Sequence, residues 1–129
     1  MATGGIDGFQ WVGGSFAEDI EASESRPPKD VDLVTLYRGM TPAQLTAMFT
    51  ASPALADRDQ TKVLYHVDHI PVDITVGPDV TVEYVRCWLG LFTHRRNNIW
   101  KGMLRLELNT PAEDAAARAQ LVAVRAALP

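Results

Sequence analysis

At 129 residues, with 47% hydrophobic and 22% charged residues, the chain has the composition of an ordinary globular protein and the length of a single domain, residues 1–129. A formal net charge of -4 excludes the broadly basic surface that holds a protein to nucleic acid by neutralising phosphates, so any such contact is local. No apolar run is long enough to span a bilayer, the opening MATGGIDGFQ lacks the regions of a signal peptide, and the lone Cys87 cannot form an intrachain disulfide. Together these predict a cytoplasmic protein that makes no membrane contact.

Residues 1–8 are Gly-rich and read as a flexible lead-in to a short strand at residues 9–12, which runs into a Gly13-Gly14-Ser15 turn. A single helical turn fits residues 16–20. The acidic, Ser-rich residues 21–29, closed by Pro27-Pro28, read as a loop. Residues 30–37 form a second strand whose nearly continuous apolar run (Val31, Leu33, Val34, Leu36) suits a central position covered on both faces. Thr41-Pro42 starts a helix with Leu45, Met48 and Phe49 as its apolar stripe, and Ser52-Pro53 starts a short second helix reaching Asp57.

Residues 63–76 read as one or two strands edged by Pro71 and ended by Gly77-Pro78. Val82, Val85, Leu89 and Phe92 recur at three- and four-residue steps, with Tyr84 and Trp88 widening the stripe, which predicts an amphipathic helix over residues 81–93 with Cys87 packed inside. A polar turn follows at residues 94–98. Leu104, Leu106 and Leu108 then alternate as a strand with one buried face. Thr110-Pro111-Ala112-Glu113 reads as a capping box for a final helix with Ala117, Leu121, Val124 and Leu128 on one side.

Asp30 and Asp32 are two positions apart on a strand and therefore point to one side of the sheet, where their hard oxygens suit Mg²⁺. The Gly13-Gly14-Ser15 turn upstream lets backbone amides approach a phosphate closely. The plainer reading of the two acids is turn capping after Pro27-Pro28. A site of this kind needs a third carboxylate, and Asp68 and Asp73, five positions apart, face opposite sides of a regular strand. Asp68, within His66-Val67-Asp68-His69, is preferred and Asp73 is the alternative. His66 and His69 fall on opposite faces and do not suit zinc. His94-Arg95-Arg96 with Lys101 is the densest basic cluster, suited to a triphosphate or an RNA backbone, or more plainly to the charge at a helix C-terminus. Trp88 belongs to the core stripe, and Trp100 is the better candidate for stacking on a base.

Gly14-Ser15, fourteen intervening residues and then Asp30-Val31-Asp32 inside an apolar strand resemble the signature of the DNA polymerase beta-type nucleotidyltransferase superfamily. The segments FQWVGGSF, RPPKDVDLV, YHVDHIPVD and WLGLFTHRRNNIWKGML resemble a group of small uncharacterised bacterial proteins with a nucleotidyltransferase-like core. The resemblance implies an α+β fold, a nucleotidyltransferase-like mixed β-sheet packed by helices on one side. It also implies Mg²⁺-dependent transfer of a nucleoside monophosphate from an NTP to a hydroxyl of a protein, an RNA such as a tRNA end, or a small molecule. Asp30, Asp32 and Asp68 would hold one or two Mg²⁺ ions. Gly13, Gly14 and Ser15 would hold the triphosphate, with Arg95, Arg96 or Lys101 steadying its charge.

Such proteins usually begin with a helix before the first strand, whereas only eight residues precede Phe9 here. The face left open calls for the C-terminal helix, a second copy or a protein partner. The other reading is a catalytically inactive nucleotidyltransferase-fold interaction module, with a toxin–antitoxin or phage-defence setting as its context.

Overall fold

Alternating apolar residues at positions 9, 11, 34 and 36 build the centre of the molecule, because side chains two apart on a strand share a face and bury together. A computed structural model describes residues 6–128. Its strands are β1 (Asp7–Gly13), β2 (Val31–Arg38), β3 (Val67–Asp73) and β4 (Leu104–Glu107). Its helices are α1 (Ile20–Glu24), α2 (Pro42–Ala51), α3 (Arg58–Tyr65), α4 (Pro78–Phe92) and α5 (Pro111–Ala127), with short 3-10 turns at Gly14–Ala17 and Pro53–Ala56. The fold is α+β: one mixed sheet ordered β3-β2-β1-β4, in which β2 and β3 are parallel and β1 runs antiparallel to both β2 and β4.

The register places Trp11 opposite Val34 and Val34 opposite Ile70; Phe9, Leu36 and Val72 form the next row. Phe92 of α4 joins Trp11, Val34, Leu36 and Val72 in the buried core, with Val85 and Trp88 packed against it. Helix α4 therefore turns the stripe Thr81, Val85, Trp88, Phe92 toward the sheet, with Phe92 buried and the other three partly buried, whereas Val82 and Leu89 are exposed. The sequence pattern fixed the helix but not its rotation, since apolar residues surround much of it. Cys87, expected to be packed, is exposed.

Several local expectations are corrected. Residues 21–29 are not all loop, because Asp19 caps α1 by accepting from the Ala22 amide. Residues 63–65 end a helix and do not begin a strand; His66, in the left-handed conformation, terminates α3. The Asp57 carboxylate accepts from the amides of Asp59 and Gln60 and starts that helix. Pro71 causes no break: β3 is an edge strand, and its register with β2 runs unbroken from Val67 to Asp73. Asp7 and Gly8 belong to β1 and Ile6 is buried, while the remaining residues of the expected flexible lead-in, 1–5, lie outside the described residues.

Strand β4 alternates as expected but has no buried face: Leu104 and Leu106 are each about half exposed, on the side away from α4, and Arg105 lies over the Phe9 ring at 4.0 Å. The Thr110 side chain donates to the Glu107 carbonyl and does not cap α5, so the expected capping box is absent. The apolar side of α5 is exposed, including Leu121, Val124 and Leu128. Thr41 caps α2 with Pro42 at its first position, as the Thr41-Pro42 start predicts, and Gln44 reaches back to complete a capping box that this signal does not itself predict. Among the described residues no helix is long and apolar enough to cross a membrane.

Candidate functional site

The site lies where the apolar rows of the sheet give way to carboxylates. Gly13, Asp32 and Asp68 are register partners across β1, β2 and β3, continuing the rows of Trp11, Val34 and Ile70 on the same face. Asp30 stands just before β2. The strand pattern thus sets Asp32 beside Asp68, as preferred, and Asp73 far along the ladder opposite Tyr37. The Asp73 carboxylate accepts from the Thr75 amide at 2.8 Å and the Thr75 hydroxyl at 2.6 Å, which makes it a turn residue standing apart from Asp30, Asp32 and Asp68.

Each glycine of the turn has a reason within the chain itself. A Cβ on Gly13 would enter the Phe92 ring. Gly14 has a positive φ of 68°, and a Cβ there would overlap the Asp32 Oδ2 oxygen. The turn is therefore moulded onto Asp32. Ser15 lies in the following 3-10 turn, where its carbonyl accepts from the Glu18 amide at 3.3 Å.

The three acids have different partners. Arg58 grips Asp68 through both Nε and Nη2, and Lys62 Nζ bridges Asp30 Oδ2 at 2.7 Å and Asp68 Oδ2 at 3.2 Å. These bonds, the Arg58 pairing foremost, hold the Asp68 carboxyl below the usual carboxylate range. Asp32 is pushed the other way, first by burial and then by the negative charges of Asp30 and Asp68, with Lys62 and Lys101 acting against the shift through space. Among the described residues, Asp32 is the carboxylate of the trio left without a charge-paired neighbour.

The basic residues expected around a triphosphate are held by an acid that the sequence reading passed over. Glu18 pairs with Arg95 and lies 3.9 Å from Lys101 Nζ, and Lys101 also donates to the Gly14 carbonyl at 3.1 Å. The Lys101 side chain is only 9% exposed, so it anchors the glycine turn from beneath. Arg96 is exposed on the same turn. Trp88 packs against the core as expected, and Trp100, 75% exposed, lies against His94 with ring centroids 4.0 Å apart and the planes tilted by 44°.

The His66-Asp68-His69 segment does not converge on one site. His69 is buried on the opposite face, where Nε2 lies 2.9 Å from the Thr35 hydroxyl, which in turn accepts from Gln10 at 3.0 Å. Burial pushes the His69 imidazole down, favouring its neutral form.

Among the described residues no group of three or more His, Cys, Asp or Glu side chains is arranged to ligate a metal. The donor chemistry nevertheless fits Mg²⁺ at Asp32, which pairs with no cation among the described residues, and at Asp30 once Lys62 releases it, with Asp68 offering the lone pairs that Arg58 leaves open. Arg58, Lys62 and Glu18 are the functional residues that sequence reasoning missed. The Asp57-x-x-Gln60 start signal marks α3, and Arg58 and Lys62, four apart, then share a face of that helix.

A family model matches residues 1–107, and the chain belongs to that family, described as a family of unknown function (DUF6932). The match ends with β4 and leaves α5 outside it. No curated protein and no solved structure matches the chain.

Proposed function

We propose that this end of the sheet binds a nucleoside triphosphate with Mg²⁺ and transfers the nucleoside monophosphate to a hydroxyl, breaking the α–β phosphoanhydride bond and releasing pyrophosphate, in a polymerase beta-type nucleotidyltransferase core. The observation that carries the reading is the meeting of Gly14 with Asp32, flanked by Asp30 and Asp68. A turn with its backbone laid against an unpaired carboxylate offers amides for phosphate beside oxygens for a hard cation. When bound, Mg²⁺ would supply charge neutralisation on the triphosphate and acidify a coordinated hydroxyl.

Asp32 and Asp30 would hold the ion, and Asp68 would complete the set and help activate the acceptor hydroxyl, whose proton would pass to solvent. Gly13, Gly14 and Ser15 would line the phosphates. Arg96, exposed, and Arg95 and Lys101, after exchange from Glu18, would meet the developing charge. The acceptor is a hydroxyl of a protein, an RNA or a small molecule, and the acidic chain favours a small contact over a long duplex.

Isothermal titration of a non-hydrolysable NTP analogue tests this reading. Mg²⁺-dependent binding to the wild-type chain, lost at least about a hundredfold in Asp32→Asn, is expected, because removing an ionised ligand from a small oxygen site forfeits most of its charge attraction. Absence of binding at millimolar nucleotide in a folded wild type contradicts it.

A second reading has its own support: Arg58, Lys62 and Glu18 pair most of the site's charges internally. On that reading the fold is an inactive interaction module, its partner a protein or a second copy, and the same titration returns no heat.

A further inference from the structure

We infer that Lys62 occupies the cation position of this site, so that a divalent ion enters only by displacing the Lys62 ammonium from Asp30 and Asp68. The inference rests on reading this end of the sheet as a divalent-cation site, and it adds the residue that regulates entry.

Lys62 Nζ lies 2.7 Å from Asp30 and 3.2 Å from Asp68, bridging one carboxylate before β2 and one on β3. An ammonium shared by two carboxylates that flank a third is doing what a divalent ion would do there, with half the charge. The two acids are enclosed, their side chains 21% and 7% exposed, whereas the Lys62 side chain is 47% exposed. The lysine can therefore swing to solvent on its flexible stem without any backbone movement, while the carboxylates stay in place. Arg58 differs: its planar fork takes both oxygens of Asp68 and fixes that carboxylate's orientation. Lys62 is thus the exchangeable cation of the pair and Arg58 the fixed one. Asp32, which neither cation pairs, supplies the attraction for an incoming ion.

The test uses the full chain and Mn²⁺ alone, followed by electron paramagnetic resonance of the free ion, with Lys62→Met and the charge-retaining Lys62→Arg. Removing the competing positive charge is expected to tighten Mn²⁺ binding about tenfold or more in Lys62→Met, while the charge-retaining Lys62→Arg shows no tightening over wild type. Adding Asp32→Asn to Lys62→Met should abolish the gain. Unchanged or weaker Mn²⁺ binding in a folded Lys62→Met chain overturns the inference, as does absence of binding to both at 10-millimolar order.

Should Lys62→Met fail to fold, side-chain NMR of Lys62 in the wild type decides. Its signal must move to the free-lysine position with the midpoint of Mg²⁺ binding, and a signal that stays fixed through metal saturation overturns the inference. Metal affinity and nucleotide binding are read separately. A Lys62→Met chain that gains Mn²⁺ but binds no NTP analogue sinks the transferase reading alone, and unchanged Mn²⁺ affinity with intact NTP binding sinks the Lys62 inference alone.

Discussion

Gly14→Ala is expected to destabilise the protein by about 2–4 kcal/mol, combining a left-handed backbone conformation that alanine adopts poorly with overlap in a filled space. The backbone at Gly14 has φ of 68°, and its missing Cβ would overlap Asp32 Oδ2. Asp32 cannot retreat freely, because Gly13 and Asp68 flank it in the sheet and Phe92 lies over Gly13. The overlap and the strain separate in a double-mutant cycle, since Asp32→Ala removes the oxygen but not the positive φ. The double variant should therefore recover part of the loss and keep a residue of roughly 1 kcal/mol from the backbone. Urea unfolding of the four proteins measures it, and strictly additive losses would show that Gly14 and Asp32 do not touch.

Two neighbouring carboxylates should respond to neutralisation with opposite signs. Asp68 has its pKa lowered by Arg58 and Lys62, so its contribution to stability is present above the ordinary carboxylate range and lost as pH falls through its folded value. Asp68→Asn should cost about 1–2 kcal/mol at neutral pH, discounted because Arg58 and Lys62 are half exposed, and the cost should vanish in acid. Asp32 has its pKa raised, so the folded state binds its proton more tightly than the unfolded state does. Its effect therefore runs the other way: stability falls as pH rises from the ordinary carboxylate range through the folded value. Asp32→Asn should stabilise the protein at neutral pH while removing Mg²⁺-dependent nucleotide binding. Melting temperatures at pH 3 and pH 7 compare the two, and a common sign at pH 7 would contradict the assignment of charges.

Much of this site was legible because strand periodicity is strict. Asp32 and the Gly13-Gly14 turn could be placed from alternation and turn chemistry, Asp30 falls one residue short of the strand that it was expected to open, and parity showed that Asp68 and Asp73 face opposite sides without choosing between them. Lys62 and Arg58 were hidden because Val63-Leu64-Tyr65 has strand-like composition, although the Asp57 cap starts a helix that absorbs those residues. Glu18 was hidden for a different reason. Its partners Arg95 and Lys101 lie far along the chain, and no local rule pairs them. The rotation of α4 depended on Phe92 reaching over Gly13, a contact made by the fold and not by the helix's own period. Strand β4 kept its alternation, but burial needs something packed on the leucine side.

The most direct test of the Asp32-centred site is paramagnetic broadening of backbone amide signals by Mn²⁺ with an NTP analogue. Gly14, Ser15, Asp32 and Asp68 should broaden first, and Asp32→Asn should abolish the effect. Broadening confined to other acids, such as Asp79 and Glu83 on α4, or no broadening at all in the folded chain, would contradict it.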